Sequence, residues 1–157
     1  MLQEGTVETL ALDLEGTLIL NAASPFPRPG LFEFLEFCRS RFSRIVIYSA
    51  VDEESFRGLA AALASTGNAP AWFLGLEHCL WDYKSSRYKD LRAIPGALLD
   101  RTAIVDDTWQ AIHPDQMESW IRIEPFETSN LERDPELERL MGVLDRLARG
   151  SGLRENR

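Results

Sequence analysis

Six residues could do chemistry together: Asp13, Glu15, Ser49, Lys89, Asp106 and Asp107. In "ALDLEGTLIL", residues 11–20, an apolar run ends in Asp13, and Glu15, Gly16 and Thr17 follow. "RIVIY", residues 44–48, runs directly into Ser49, and "TAIVDD", residues 102–107, ends in two aspartates. Three carboxylates gathered at one place repel one another and call for a cation. An oxygen-only ligand set favours a hard ion, and Mg²⁺ is typical where a phosphate completes the coordination. A hydroxyl at Ser49 can donate to a phosphate oxygen, and Lys89 can balance the charge of a transferring group. These are the parts for phosphoryl transfer to a carboxylate: metal, nucleophile, oxygen-binding donors and an acid/base. The open point is Glu15. If Asp13 is the nucleophile, a side chain one methylene longer than aspartate must serve as its acid and base.

The elements that would position these residues follow from the apolar pattern. Residues 7–12 and 44–48 read as buried strands, as do 102–107, and 119–123 reads as a last strand. "SPFPRPG", residues 24–30, is a stiff Pro-rich loop. Positions 31, 34, 35, 38 and 42 fit one helix face. Asp52 reads as the N-cap of a second helix with Phe56, Leu59, Ala60 and Leu63 inward, stopped by Gly67. "AWFL", residues 71–74, is expected to be a short third strand, and residues 77–91 a small hairpin turning near Lys84 to Ser86. Asp134 caps a final helix with Pro135 at its first position and Leu137, Leu140, Met141, Leu144 and Leu147 on its stripe. The tail from Gly150 is expected to fray. Strands alternating with helical crossovers imply a mainly parallel α/β sheet with helices on both faces. In such sheets ligands bind beyond the carboxyl ends of the strands, where Asp13, Ser49 and Asp106 all fall.

The whole chain agrees with a single domain over 1–149. Its 157 residues suffice for a full core, and a charge of −8 with a pI near 4.8 disfavours a general nucleic-acid binder. No signal peptide or membrane span is read, and the two cysteines lack metal or redox spacing, so the expected setting is cytoplasmic and reduced. Cys38 is expected to be a buried thiol. His78 and His113 show no pairing with the cysteines, and His113 before Pro114 is expected to stabilise a turn. The tryptophans read as packing residues, with Trp81 and Trp109 placed to line a substrate mouth.

Four segments carry a resemblance to a known family. "DLEGTL" resembles the first motif of the haloacid dehalogenase (HAD) superfamily, "IVIYS" its second, and "YKDL" and "IVDD" its lysine and acidic motifs. "PRPGLFEFLEF" and "AIHPD" resemble the branch of CTD small phosphatases and NLI-interacting-factor-like proteins. The resemblance runs from about residue 7 to 126 and implies a Rossmann-like, HAD-like fold without a large cap. It implies that Asp13 attacks phosphorus to form an aspartyl-phosphate. It implies Mg²⁺ on the Asp13 carboxylate, the Glu15 backbone carbonyl and Asp106. Ser49 and Lys89 would hold phosphoryl oxygens, Thr17 would support the loop, and Asp107 would help fix metal waters or Lys89.

The departure is Glu15, where the family usually has the aspartate that protonates the leaving oxygen and activates water. The two side chains differ by only ~0.4 pKa units, so reach rather than acidity decides. The sequence therefore supports a Mg²⁺-dependent phosphomonoester hydrolase with Glu15 as a variant general acid/base, acting on a phosphorylated protein or a small phosphomonoester. The competing class is a weakly active or inactive phosphate- or protein-binding module. A phosphotransferase with an acceptor other than water is a third. A receiver domain is disfavoured, because its acidic pair precedes the phosphoacceptor rather than following the lysine. No nucleic-acid or membrane partner is expected, and the oligomeric state is left open.

Overall fold

The computed structural model describes residues 7–148. Five parallel strands form one sheet: β1 (Thr9–Leu12), β2 (Arg44–Ser49), β3 (Glu77–Leu80), β4 (Thr102–Asp106) and β5 (Trp120–Arg122). Their spatial order is β3-β2-β1-β4-β5. Three α-helices accompany them: α1 (Leu31–Arg41), α2 (Glu53–Ser65) and α3 (Glu136–Ala148). This is the α/β Rossmann-like arrangement expected.

The central strands are apolar throughout because both faces are covered. Leu10, Leu12, Ile45, Ile47, Ala103 and Val105 point into one cluster with Leu31, Phe34 and Leu35 of α1, Phe56, Leu59 and Leu63 of α2, and Leu137, Leu140 and Leu144 of α3. Ala11, Val46, Tyr48 and Ile104 point the other way, onto Leu91, Ile94 and Ile112. All three α-helices thus share one face, and short 3₁₀ helices at 91–93 and 109–111 cover the other. Chain direction explains the division. From β1 to β3 the chain moves outward across the sheet, and from β3 to β4 it returns. A right-handed crossover must then pass on the opposite face.

Local signals set the helix ends as expected. Asp52 accepts from the Ser55 amide at 2.8 Å, and Gly67 ends α2 with φ 76°. The amides of Gly67 and Asn68 return to the carbonyls of Ala64 and Leu63, which satisfies the last turn. Asp134 Oδ1 accepts from the Glu136 amide at 2.9 Å.

Two expectations are corrected. Residues 71–75 form a 3₁₀ helix, not a strand. The extended Pro70 starts it, Phe73 N–H returns to the Pro70 carbonyl, and Phe73 packs edge-on against Phe56 at 5.3 Å. Residues 77–91 contain no hairpin. Residues 77–80 are the parallel edge strand β3, in register with Val46–Ser49. Arg44 holds Glu77 at 2.6 Å, and the Trp81 amide continues the pairing onto the Ser49 carbonyl at 2.8 Å. The chain then turns on Asp82, whose side chain and carbonyl take bonds from Lys84, Ser85 and Ser86. The expected fraying from Gly150 lies outside the described residues.

Candidate active site

The strand order reverses between β1 and β4, and this is the switch point where α/β sheets bind ligands. β1 ends at Leu12, and Asp13 follows with its amide bonded to the Val105 carbonyl at 3.0 Å. Asp106 ends β4. Two strands paired in register therefore carry two carboxylates to neighbouring positions on one rim.

Lys89 joins them. Its ammonium donates to Asp13 Oδ1 at 2.8 Å and to Asp106 Oδ2 at 2.6 Å, with all three side chains buried. Lys89 is 76 residues from Asp13 in sequence, and backbone pairing brings it there. Its amide donates to the Ala111 carbonyl, and it bridges to Ile112 in parallel. Next to it, Asp90 accepts from Arg92 and from Gln116, and its backbone meets the Tyr48 hydroxyl at 3.0 Å. Trp81 presents its ring 5.3 Å from the Lys89 ammonium.

Thr17 contributes more than loop geometry. Its hydroxyl donates to Asp13 Oδ2 at 2.8 Å and lies 3.3 Å from Asp107 Oδ1. Asp107 approaches because position 16 has no side chain. A Cβ on Gly16 would stand 2.5 Å from Asp107 Oδ2, and Gly16 has φ +78°, a conformation that disfavours other residues. Ser49 is buried at the end of β2, its Oγ accepting from the Val51 amide at 3.1 Å. Glu15 is exposed, and its Oε2 accepts from the Ala22 amide at 2.8 Å.

Asp13, Glu15, Ser49, Lys89, Asp106 and Asp107 all line one cleft of about 170 Å³, together with Trp81 and Thr108. Six of the seven expected site residues therefore line one cleft, and the seventh, Thr17, is bonded to Asp13 from beside it. Trp81 is at the mouth as expected, whereas Trp109 is an exposed residue outside the lining. His113 does stabilise a turn, its Nδ1 accepting from the Asp115 amide. Cys38 is buried and Cys79 half-buried, both as free thiols.

The electrostatics favour a cation. Carboxylate oxygens of Asp13, Asp106 and Asp107 lie within 4.8 Å of one another. Burial pushes the Asp106 carboxyl up to about 6, and Asp13 adds to this against the opposing pull of Lys89. Burial likewise lifts Asp107 to about 7, helped by Asp13 and Asp106. Burial alone would lower the Lys89 ammonium, but Asp13 and Asp106 overcome it and hold it above the usual lysine range. One ammonium does not neutralise three carboxylates, so the cluster stays anionic when ionised. A phosphate dianion could not enter such a cleft without further positive charge. An all-oxygen donor set with a surplus of negative charge fits a hard divalent ion.

A site of this chemistry at this point of the sheet has a counterpart among known families. The family model of the NLI interacting factor-like phosphatases matches residues 8–154. The chain belongs to that family. It is thereby a member of the CTD small phosphatase branch of the HAD superfamily. Family membership supports phosphatase activity, and the acidic cluster is compatible with it. No curated protein matches the chain closely enough to mark a relative. Among the described residues, no helix is long and apolar enough to cross a membrane.

The sequence reading missed Arg28. It entered only as part of a stiff loop and of the "PRPGLFEFLEF" resemblance, with no role of its own, yet it is a fully buried arginine directly behind the loop that follows Asp13. The signal was a charged residue between two prolines, where an exposed side chain is the ordinary expectation.

Proposed function

We propose that the chain is a Mg²⁺-dependent phosphomonoester hydrolase that works through an aspartyl-phosphate on Asp13. The observation that carries this reading is the convergence of Asp13, Asp106 and Lys89 at the switch point of the sheet. Asp13, the Glu15 backbone carbonyl and Asp106 would hold the ion, with Asp107 supporting. The ion would neutralise the carboxylates and the phosphoryl oxygens.

Thr17 on Oδ2 and Lys89 on Oδ1 fix the orientation of the Asp13 carboxylate. An Asp13 oxygen attacks phosphorus, and the bond from phosphorus to the ester oxygen breaks. The electron pair leaves with that oxygen, which takes a proton from Glu15. Water then gives a proton back to Glu15 and attacks the same phosphorus. The Asp13–phosphorus bond breaks, inorganic phosphate leaves, and Asp13 returns to a carboxylate. An ammonium has three N–H groups, and two of those on Lys89 are engaged by carboxylates, so a third suits a phosphoryl oxygen. Ser49 Oγ is the second oxygen-binding donor.

The cleft size bears on the substrate. About 170 Å³ is small beside sites that enclose a whole small molecule, ~300 Å³ or more. It suits a phosphoryl group and its nearest atoms, with the rest of the substrate outside. A phosphorylated protein side chain or a small accessible phosphomonoester fits this, in a cytoplasmic protein whose residues 1–149 act as one domain.

One observation favours a second reading, a weakly active phosphate- or protein-binding module. Glu15 is exposed, and its carboxylate is already engaged by the Ala22 amide. Phosphate release from an aryl phosphate with Mg²⁺ and with EDTA separates the two. Metal-dependent release supports the hydrolase, and none across several phosphomonoesters supports the binding module.

A further inference from the structure

We propose that Arg28 is a positioning residue that sets the loop carrying Glu15, Gly16 and Thr17, and that Asp134 at the start of α3 holds Arg28 for this task. The guanidinium has five N–H donors, and five bonds to it are present. Nε and Nη2 donate to Asp134 Oδ1 and Oδ2 at 2.9 and 2.8 Å. Nη1 donates to the carbonyls of Gly16 and Thr17, each at 3.2 Å. Nη2 also donates to the Glu124 carbonyl at 2.6 Å. Arg28 is 1% exposed, and its guanidinium stacks 5.4 Å from the Phe126 ring.

The geometry gives this cluster a use beyond packing. A planar fork fixes the direction of the carbonyls it binds, which a lysine ammonium does not. The carbonyls it fixes belong to two residues that shape the surroundings of the carboxylates. Thr17 donates its hydroxyl to Asp13 Oδ2, and Gly16 leaves the space that Asp107 fills. The Gly16 carbonyl takes a second bond from the Phe126 amide at 2.8 Å. The loop is thus clamped from behind through Arg28, which lies 12 positions in sequence from Gly16, 96 from Glu124 and 106 from Asp134. Glu15, the acid/base of the reading above, is carried by the same loop. A shift of ~1 Å in such groups can cost on the order of 100-fold in rate.

The kinetic arm of the test rests on the hydrolase reading, and the second arm does not. Arg28→Lys keeps the charge and removes the fork. Its kcat on an aryl phosphate at saturating Mg²⁺ should fall about 10- to 100-fold with KM within about two-fold. Amide hydrogen exchange should quicken at residues 16–19 while β1 and β2 keep wild-type protection. Asp134→Asn, a milder change, should shift both readouts the same way by a smaller factor and serves if Arg28→Lys does not fold. Wild-type protein without hydrolysis would remove the enzyme reading, and the exchange pattern would still judge the clamp. Folded variants with wild-type kcat or unchanged exchange at 16–19 would overturn the proposal. So would exchange that quickens equally throughout the sheet.

Discussion

The carboxylate of Glu15 is tethered to the backbone amide of Ala22, 2.8 Å from Oε2. With this bond in place, the side chain still lines the cleft. A tethered carboxyl that still reaches the cleft can exchange protons with a leaving oxygen. Glu15→Gln should therefore lower kcat by roughly 100-fold or more. The loss should be greatest on alkyl phosphates, whose leaving oxygen needs a proton most, and least on nitrophenyl phosphate. Glu15→Asp should keep or raise activity. Steady-state kinetics on the two substrate classes checks this, and wild-type rates for Glu15→Gln on alkyl phosphates would refute the assignment.

Gly16 is held at φ +78°, and a Cβ there would meet Asp107 Oδ2 at 2.5 Å. Gly16→Ala would strain the backbone by about 1 kcal/mol or more and turn the Asp107 carboxylate away. Support around a metal site commonly contributes about 10-fold or more in affinity. The Mg²⁺ concentration for half-maximal activity should rise by about that factor. A Mg²⁺ titration of phosphate release measures it. An unchanged midpoint would show that Asp107 has no part in holding the ion.

Lys89 is the cation between Asp13 and Asp106. Lys89→Met would leave two buried carboxylates facing each other. Breaking a buried pair in this way costs about 3–5 kcal/mol. In EDTA the variant should melt well below wild type, and Mg²⁺ should restore part of the difference, because an ion that binds only the folded state stabilises it. Thermal unfolding with and without Mg²⁺ gives the answer. Equal melting temperatures in EDTA would mean that the ion pair does not hold the site.

Raised carboxyl groups fix the sign of the pH dependence. Asp106 and Asp107 are pushed up to about 6 and about 7 by burial and by neighbouring carboxylates. In the metal-free protein their contribution to stability is fully present below the unfolded carboxylate range, near pH 4. It is lost as pH rises through 6 to 7, where both must ionise in place. Mg²⁺ needs the ionised forms, so its binding displaces protons and strengthens over the same interval. The rise in melting temperature produced by Mg²⁺ should be small at pH 5.5 and large at pH 8. A rise independent of pH would contradict these assignments.

Much of this was legible in the sequence, for physical reasons that also mark where legibility ends. Helix α2 was readable because Phe56, Leu59, Ala60 and Leu63 repeat at helical spacing between an Asp cap and a Gly stop, and all four are buried. Asp13, Ser49 and Asp106 were readable because each closes an apolar run long enough to be a buried strand. Residues 71–75 and 77–80 were misread because segments this short carry little periodicity. Pairing with β2 and packing on Phe56 decide them, and neither is local. The bond between Arg28 and Asp134 joins residues 106 apart; Asp134 already had a local explanation as a helix cap, and Arg28 had only its place in a stiff loop. The meeting of Lys89 with Asp13 was foreshadowed by the motif that contains it. Its burial and its double ion pair were not.

The claim beneath the whole account is that Asp13 itself takes the phosphoryl group. Acid-quenching the protein during turnover of a phosphomonoester in Mg²⁺, followed by peptide mass mapping, tests it most directly. The expected result is a hydroxylamine-labile phosphate on the peptide containing Asp13, absent in EDTA and absent from Asp13→Asn. Turnover that persists in Asp13→Asn, or phosphate found on Ser49 instead, would contradict it.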